Sequence, residues 1–137
     1  MIAKQRIGIV GAGMMGHGIA KNLVEKGFPL AVRGHRSRAP IDDLVGRGAT
    51  EVKTNADLAR ASDIVILCVT GAPQVEEVMI GPEGVAGAAR PGTIVVDTST
   101  GEPATTAKMR DALAKQDVRF VDAPLARTPV EAEQGRL

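Results

Sequence analysis

Ile7-Gly8-Ile9-Val10 runs without a break into Gly11-Ala12-Gly13-Met14-Met15-Gly16. The first four residues are a short apolar run ending at a glycine, the pattern of a buried strand. Ile19, Ala20, Leu23 and Val24 then recur at helical spacing, and Gly27 stands where a helix stops. The glycines therefore sit in a turn between a strand and a helix. In that setting G-x-G-x-x-G is a phosphate-binding turn, the fingerprint of dinucleotide-binding folds. Gly11 permits the tight turn, Gly13 lets a pyrophosphate approach the backbone, and Gly16 lets the helix lie close to the strand. The helix that opens at Met14 and Met15 turns unpaired N–H groups and a favourable dipole toward the phosphates. Gly11, Gly13, Met14, Met15 and Gly16 are the first candidate cofactor contacts.

Outward from this turn the same alternation continues. Leu30-Ala31-Val32, the weak Glu51-Val52, Ile64 to Val69, Thr93 to Val96 and Arg119-Phe120-Val121 read as strands. Between them lie a short helical turn from Asp42 to Arg47, a helix capped by Asn55 through Arg60, and helices from Pro73 to Met79 and Pro103 to Lys115. Ser99 or Thr100 could cap the last of these. Strands alternating with helices imply an α/β, Rossmann-type doubly wound parallel sheet. The stretch from Pro124 to Leu137 shows no complete element.

Composition narrows the function. The chain has 137 residues with a formal net charge of +1, and aromatic residues are 1% of it. A balanced chain lacks the footprint of a general nucleic-acid binder, and two phenylalanines offer no stacking platform. The longest aliphatic run, Ile64 to Val69, is too short to span a membrane, and the N-terminus has no leader pattern. The single cysteine, Cys68, fits a reducing, cytoplasmic setting and reads as a buried, inert thiol. Two histidines and one cysteine at these spacings make no metal site, and His17 has no evident ligand partner.

The second strand selects the cofactor. An acidic residue about twenty positions past the glycines would bind the ribose 2′-hydroxyl of NAD. No Asp or Glu occurs between Glu25 and Asp42; the chain offers Arg33, His35, Arg36 and Arg38 instead. Guanidinium forks suit a 2′-phosphate, which favours NADP over NAD. The alternative is a solvated basic loop.

Several ordered motifs together resemble the β-hydroxyacid dehydrogenases, the family of 3-hydroxyisobutyrate and 6-phosphogluconate dehydrogenases. They are the glycine turn, Ala20-Lys21-Asn22-Leu23, Gly27-Phe28-Pro29, Asp63 to Ile66, Gln74-Val75-Glu76, Pro91 to Asp97, Ser99-Thr100 and Asp122-Ala123-Pro124, then Ala132-Glu133 and Gly135. The resemblance implies hydride transfer between a nicotinamide and a small β-hydroxyacid or semialdehyde. It implies cofactor contacts at Val69, Thr70, Gln74, Val75 and Thr100. Core packing is an equal reading for the two valines, and helix capping for Thr100.

The chain departs from the family at the substrate end. The usual Val-Ser-Gly-Gly after Asp-Ala-Pro is replaced by Leu125-Ala126-Arg127-Thr128. Ala126, Arg127 and Thr128 become the candidate substrate contacts, an arginine fork and a hydroxyl for an anionic group. None of the six lysines has the family's catalytic setting, so no catalytic residue is expected in this chain. On the resemblance, residues 1–122 are a dinucleotide-binding domain. Residues 123–137 are a substrate loop and the start of a further strand, so the sheet is expected to be truncated before its last strands. The helical second domain, with the catalytic lysine and most of a homo-oligomer interface, is expected to lie outside these residues. A stand-alone, non-catalytic dinucleotide-binding module is the alternative.

Overall fold

The computed structural model describes residues 3–34 and 36–137. Six strands form one parallel sheet: β1 (Ile7–Val10), β2 (Leu30–Arg33), β3 (Thr50–Val52), β4 (Ile64–Leu67), β5 (Ile94–Asp97) and β6 (Arg119–Asp122). Their spatial order is β3-β2-β1-β4-β5-β6. This is the doubly wound order of the Rossmann fold, as the alternation of segments implies. The helices are α1 (Met14–Glu25), α2 (Ala39–Gly46), α3 (Asn55–Arg60), α4 (Ala72–Ile80), α5 (Pro103–Leu113) and α6 (Pro129–Glu133).

All four residues of β1 are buried, so the central strand is covered on both faces. Its side chains alternate between two cores. Ile7 and Ile9 join Leu30, Val32, Ile41 and Leu44 beneath α1 and α2. Val10 joins Leu58, Val65, Leu67, Val75 and Met79 on the other face. Burying one such Leu or Ile is worth about 1.5–3 kcal/mol. Gly8 faces α3 at a distance no side chain could occupy. An added Cβ would lie 2.4 Å from Leu58 Cδ2 and 2.4 Å from Ser62 Oγ. At the opposite end of the sheet from the glycine turn, Asp63 accepts the Arg6 backbone N–H at 2.9 Å and the Arg6 guanidinium at 2.9 Å. These bonds hold its carboxyl down at about 2.

Three local expectations are corrected. The cap of α3 is Thr54, whose hydroxyl accepts the Asp57 N–H at 3.0 Å, and Asn55 is the first helical residue instead. Neither Ser99 nor Thr100 caps α5, which starts after Glu102 without a side-chain cap. The segment expected to open a further strand contains α6, and residues 135–137 form no strand. That helix starts with a reciprocal capping box between Thr128 and Glu131. Its five residues are too few for an apolar period to show, so the sequence pattern does not reveal it.

Gly8→Val is expected to destabilise the fold by about 1–3 kcal/mol, since the packed α3 must give way. Urea denaturation measures this. An unchanged midpoint would mean that α3 does not press on β1 as described.

Candidate functional site

The carboxyl ends of β1, β2 and β4 open on one edge of the sheet, where the strand order reverses. A cleft of about 930 Å³ lies there. Open parallel sheets bind ligands at this switch point.

The floor of the cleft is the glycine turn. Gly11 has φ +94°, and an added Cβ would meet the Cys68 carbonyl oxygen at 2.1 Å. A Cβ on Gly16 would lie 1.7 Å from the Gly11 carbonyl oxygen. The turn, the start of α1 and the end of β4 are thus held at backbone contact. Gly13 is different: a Cβ there would meet nothing within 4 Å. It borders the open cleft and is the backbone N-cap of α1. No acidic residue occupies the first turn of that helix, so its N–H groups face no competing carboxylate of their own.

Gly11, Gly13, Met14, Arg33, Arg36, Val69, Thr70 and Gln74 all border the cleft. Met14 is 78% exposed. Met15 and Gly16 lie behind this wall. Val75 is fully buried in the core below it. Thr100 is exposed and outside the cleft wall, as are Ala126, Arg127 and Thr128. His35 lies outside the described residues. The basic stretch is divided by its partners. Arg38 is held by Glu51 at 2.5 Å and Asp42 at 2.9 Å, bonds that raise its pKa further. Among the described residues no salt bridge occupies Arg33 or Arg36, and Arg33 Nε reaches only the Lys53 carbonyl at 3.5 Å. The positive charge turned to the cleft is therefore that of Arg33 and Arg36.

The far wall is tied by hydroxyls. Val69 N–H donates to Ser99 Oγ at 3.0 Å, Ser99 N–H donates to Asp97 Oδ1 at 2.9 Å, and Thr98 Oγ1 donates to the Leu67 carbonyl at 2.7 Å. Ser99 thus fixes the loop after β4. Cys68 lies just past β4, half-buried on the cleft rather than inside the strand. Burial raises its pKa, which keeps the thiol protonated.

Sequence reading missed the wall built by α6. Gly18 lets α6 dock, since a Cβ there would be 2.6 Å from the Ala132 backbone. Asn22 Nδ2 then donates to the last carbonyls of α6, Ala132 at 3.0 Å and Glu133 at 3.1 Å. His17, read from the sequence only as lacking a ligand partner nearby, lies between Asp43 and Glu133, each at 2.7 Å. Lys21 adds a bond to Glu133 at 3.0 Å. Partial burial opposes the imidazolium, but the two carboxylates outweigh it and raise the His17 pKa above 6.5. His17 and Glu133 also hold each other's charge: the Glu133 carboxyl is lowered by His17 and Lys21. Asp43 is 26 residues from His17 and Glu133 is 116, so no local pattern could announce the cluster. Pro129 and Glu133 join His17 in lining the cleft. Among the described residues, no group of three His, Cys, Asp or Glu side chains could hold a metal, and no helix is long and apolar enough to cross a membrane.

A raised His17 pKa has a definite sign. The charged clamp is complete below about 6.5 and is lost as pH rises through the higher folded value. His17→Gln should therefore lower the melting temperature more at pH 6 than at pH 9. Equal losses at both values would show that the clamp does not titrate.

Residues 6–137 match the family model described as the NAD binding domain of 6-phosphogluconate dehydrogenase. The chain is 36% identical to 2-(hydroxymethyl)glutarate dehydrogenase of Eubacterium barkeri, over 96% of this chain and 44% of that protein. It is 32% identical to the cytokine-like nuclear factor N-PAC of Xenopus tropicalis, over 97% of this chain and 25% of that protein. The solved structure of Psf3 in complex with NADP+ and 2-OPP superposes with a TM-score of 0.86 at 31% identity, covering 94% of this chain and 45% of that one. The chain spans less than half the length of these relatives.

Proposed function

Because the chain belongs to the β-hydroxyacid dehydrogenase family, as its NAD-binding domain, we propose that the cleft binds NADP(H) for hydride transfer to or from a small β-hydroxyacid or its semialdehyde. The observation that carries this reading is the pairing of two features in one cleft. Gly13 leaves open space at the start of α1, and Arg33, the last residue of β2, and Arg36, just beyond it, have no ion-pair partner among the described residues. A similar chain is known in complex with NADP+.

The cofactor, when bound, supplies or accepts the hydride. The residues of this chain bind and orient it. The glycine turn and the first N–H groups of α1 hold the pyrophosphate. Arg33 and Arg36 hold the 2′-phosphate through charged, bidentate bonds, and His35, between them in sequence, is the third candidate contact. Val69, Thr70 and Gln74 support the opposite side of the dinucleotide, and Thr100 meets the nicotinamide ribose. Ala126, Arg127 and Thr128 face an anionic substrate group, with Thr128 also engaged in the cap of α6. Residues 1–122 form the dinucleotide-binding domain. The proton donor beside the carbonyl comes from outside this chain, in a cytoplasmic homo-oligomer. A second reading, a dinucleotide-binding module without catalysis, draws support from the likeness to nuclear factors named N-PAC.

Gly13→Ala tests the site without disturbing the fold, because the added methyl group enters open space. NADPH affinity should fall at least tenfold while the melting temperature stays put; unchanged affinity would overturn the pyrophosphate site. Arg36→Ala should weaken NADPH by about 10-fold to 100-fold and leave NADH nearly unaltered. An unchanged NADPH/NADH ratio, in this variant and in Arg33→Ala, would overturn the 2′-phosphate reading. Turnover of a hydroxyacid by the 137-residue chain alone would contradict the outside proton donor.

A further inference from the structure

Asn55 is a buried polar side chain of the cleft wall that the preceding roles leave unexplained. It begins α3 just past β3, is 8% exposed, and borders the same cleft as Arg33 and Arg36. Its Oδ1 is buried without a hydrogen-bond partner among the described residues. The capping role that would account for an Asn here belongs to Thr54, which bonds the Asp57 N–H. Burying an amide oxygen without a partner costs free energy, and each such group calls for an explanation. The oxygen is enclosed as it stands, and rotation about χ1 and χ2 brings the amide edge to the cleft.

We infer that Asn55 reads the hydrogen-bonding edge of the adenine base. This rests on the dinucleotide reading of the cleft. With the pyrophosphate at Gly13 and the 2′-phosphate at Arg33 and Arg36, the base comes next along the molecule. Val78 and Pro82 border the same cleft and offer apolar surface for the ring. Asn55 supplies the polar edge. Its Oδ1 accepts from the exocyclic N6 amine, and its Nδ2 donates to N7, which stays an acceptor when a carbonyl replaces the amine, so a turned amide cannot satisfy both. An amide is the side-chain group that pairs with adenine in this two-bond manner. The consequence is base specificity: an amine at position 6 is bound and a carbonyl is disfavoured.

The test compares NADPH with its hypoxanthine counterpart, in which a carbonyl replaces that amine, by equilibrium binding to the 137-residue chain. The chain should prefer NADPH by about tenfold, the scale of one hydrogen bond gained or lost. Asn55→Ala should bring the two affinities together. Asn55→Asp keeps an accepting oxygen in the same shape and should retain the preference for the amine, which guards against a fold defect in the alanine variant. Equal binding of both dinucleotides by the unaltered chain would overturn the inference and leave the cofactor site standing. So would an unchanged ratio in Asn55→Ala, or no preference in Asn55→Asp, outcomes in which water alone meets the amide. Failure to bind either dinucleotide would overturn the cofactor reading itself, and this inference with it.

Discussion

Backbone contact at the glycine turn governs the rest of this molecule. The Gly11 and Gly16 positions leave no room for even a methyl group against the Cys68 and Gly11 carbonyls. Only without those side chains can α1 start directly over the adjacent ends of β1 and β4. That placement turns the first N–H groups of α1 toward the place where the strand order reverses. Gly8 extends the constraint to the other face, where α3 lies against β1. Sheet, helix and cleft thus share one close approach, and the chemistry of phosphate binding follows from it.

The two sides of the cleft are stabilised by different physics. Beneath it are aliphatic cores on both faces of the sheet. The walls are tied by polar contacts: hydroxyls of Thr98 and Ser99 join the ends of β4 and β5, and His17 joins α1 to α2 and α6. The first kind of contact is insensitive to pH. The second depends on charge, because His17 lies between two carboxylates. The same clamp fixes Pro129 and Glu133 at the rim of the cleft, so the docking of a five-residue helix and the shape of the binding site are one arrangement.

Charge placement also separates binding from structure along the basic stretch after β2. Arg33, Arg36 and Arg38 are equivalent in composition. Ion pairs to Glu51 and Asp42 commit Arg38 to holding β3 and α2 together. Arg33 and Arg36 are left on the cleft. An arginine already neutralised by two carboxylates has little to offer a phosphate, whereas one without such partners keeps its full field. Acidic neighbours, more than the number of arginines, set how much positive potential the cleft presents.

The sequence by itself determined the alternation of strands and helices, the parallel doubly wound sheet and the glycine turn. These depend on apolar runs and on glycines a few residues apart, which are local properties. The Rossmann strand order follows from the same turn, since the fingerprint belongs to the first βα unit. Tertiary structure alone decided which polar residues share the site. His17 meets Glu133, Asn22 meets Ala132, and Asn55 comes to border the same cleft as Arg33 only when strands distant in sequence are aligned. It also decided that Val75 packs in the core while Val69 borders the cleft, a choice two valines cannot reveal. Local pattern records which face of an element is apolar. It carries no record of which distant element arrives to cover that face, because that depends on how close two backbones can come.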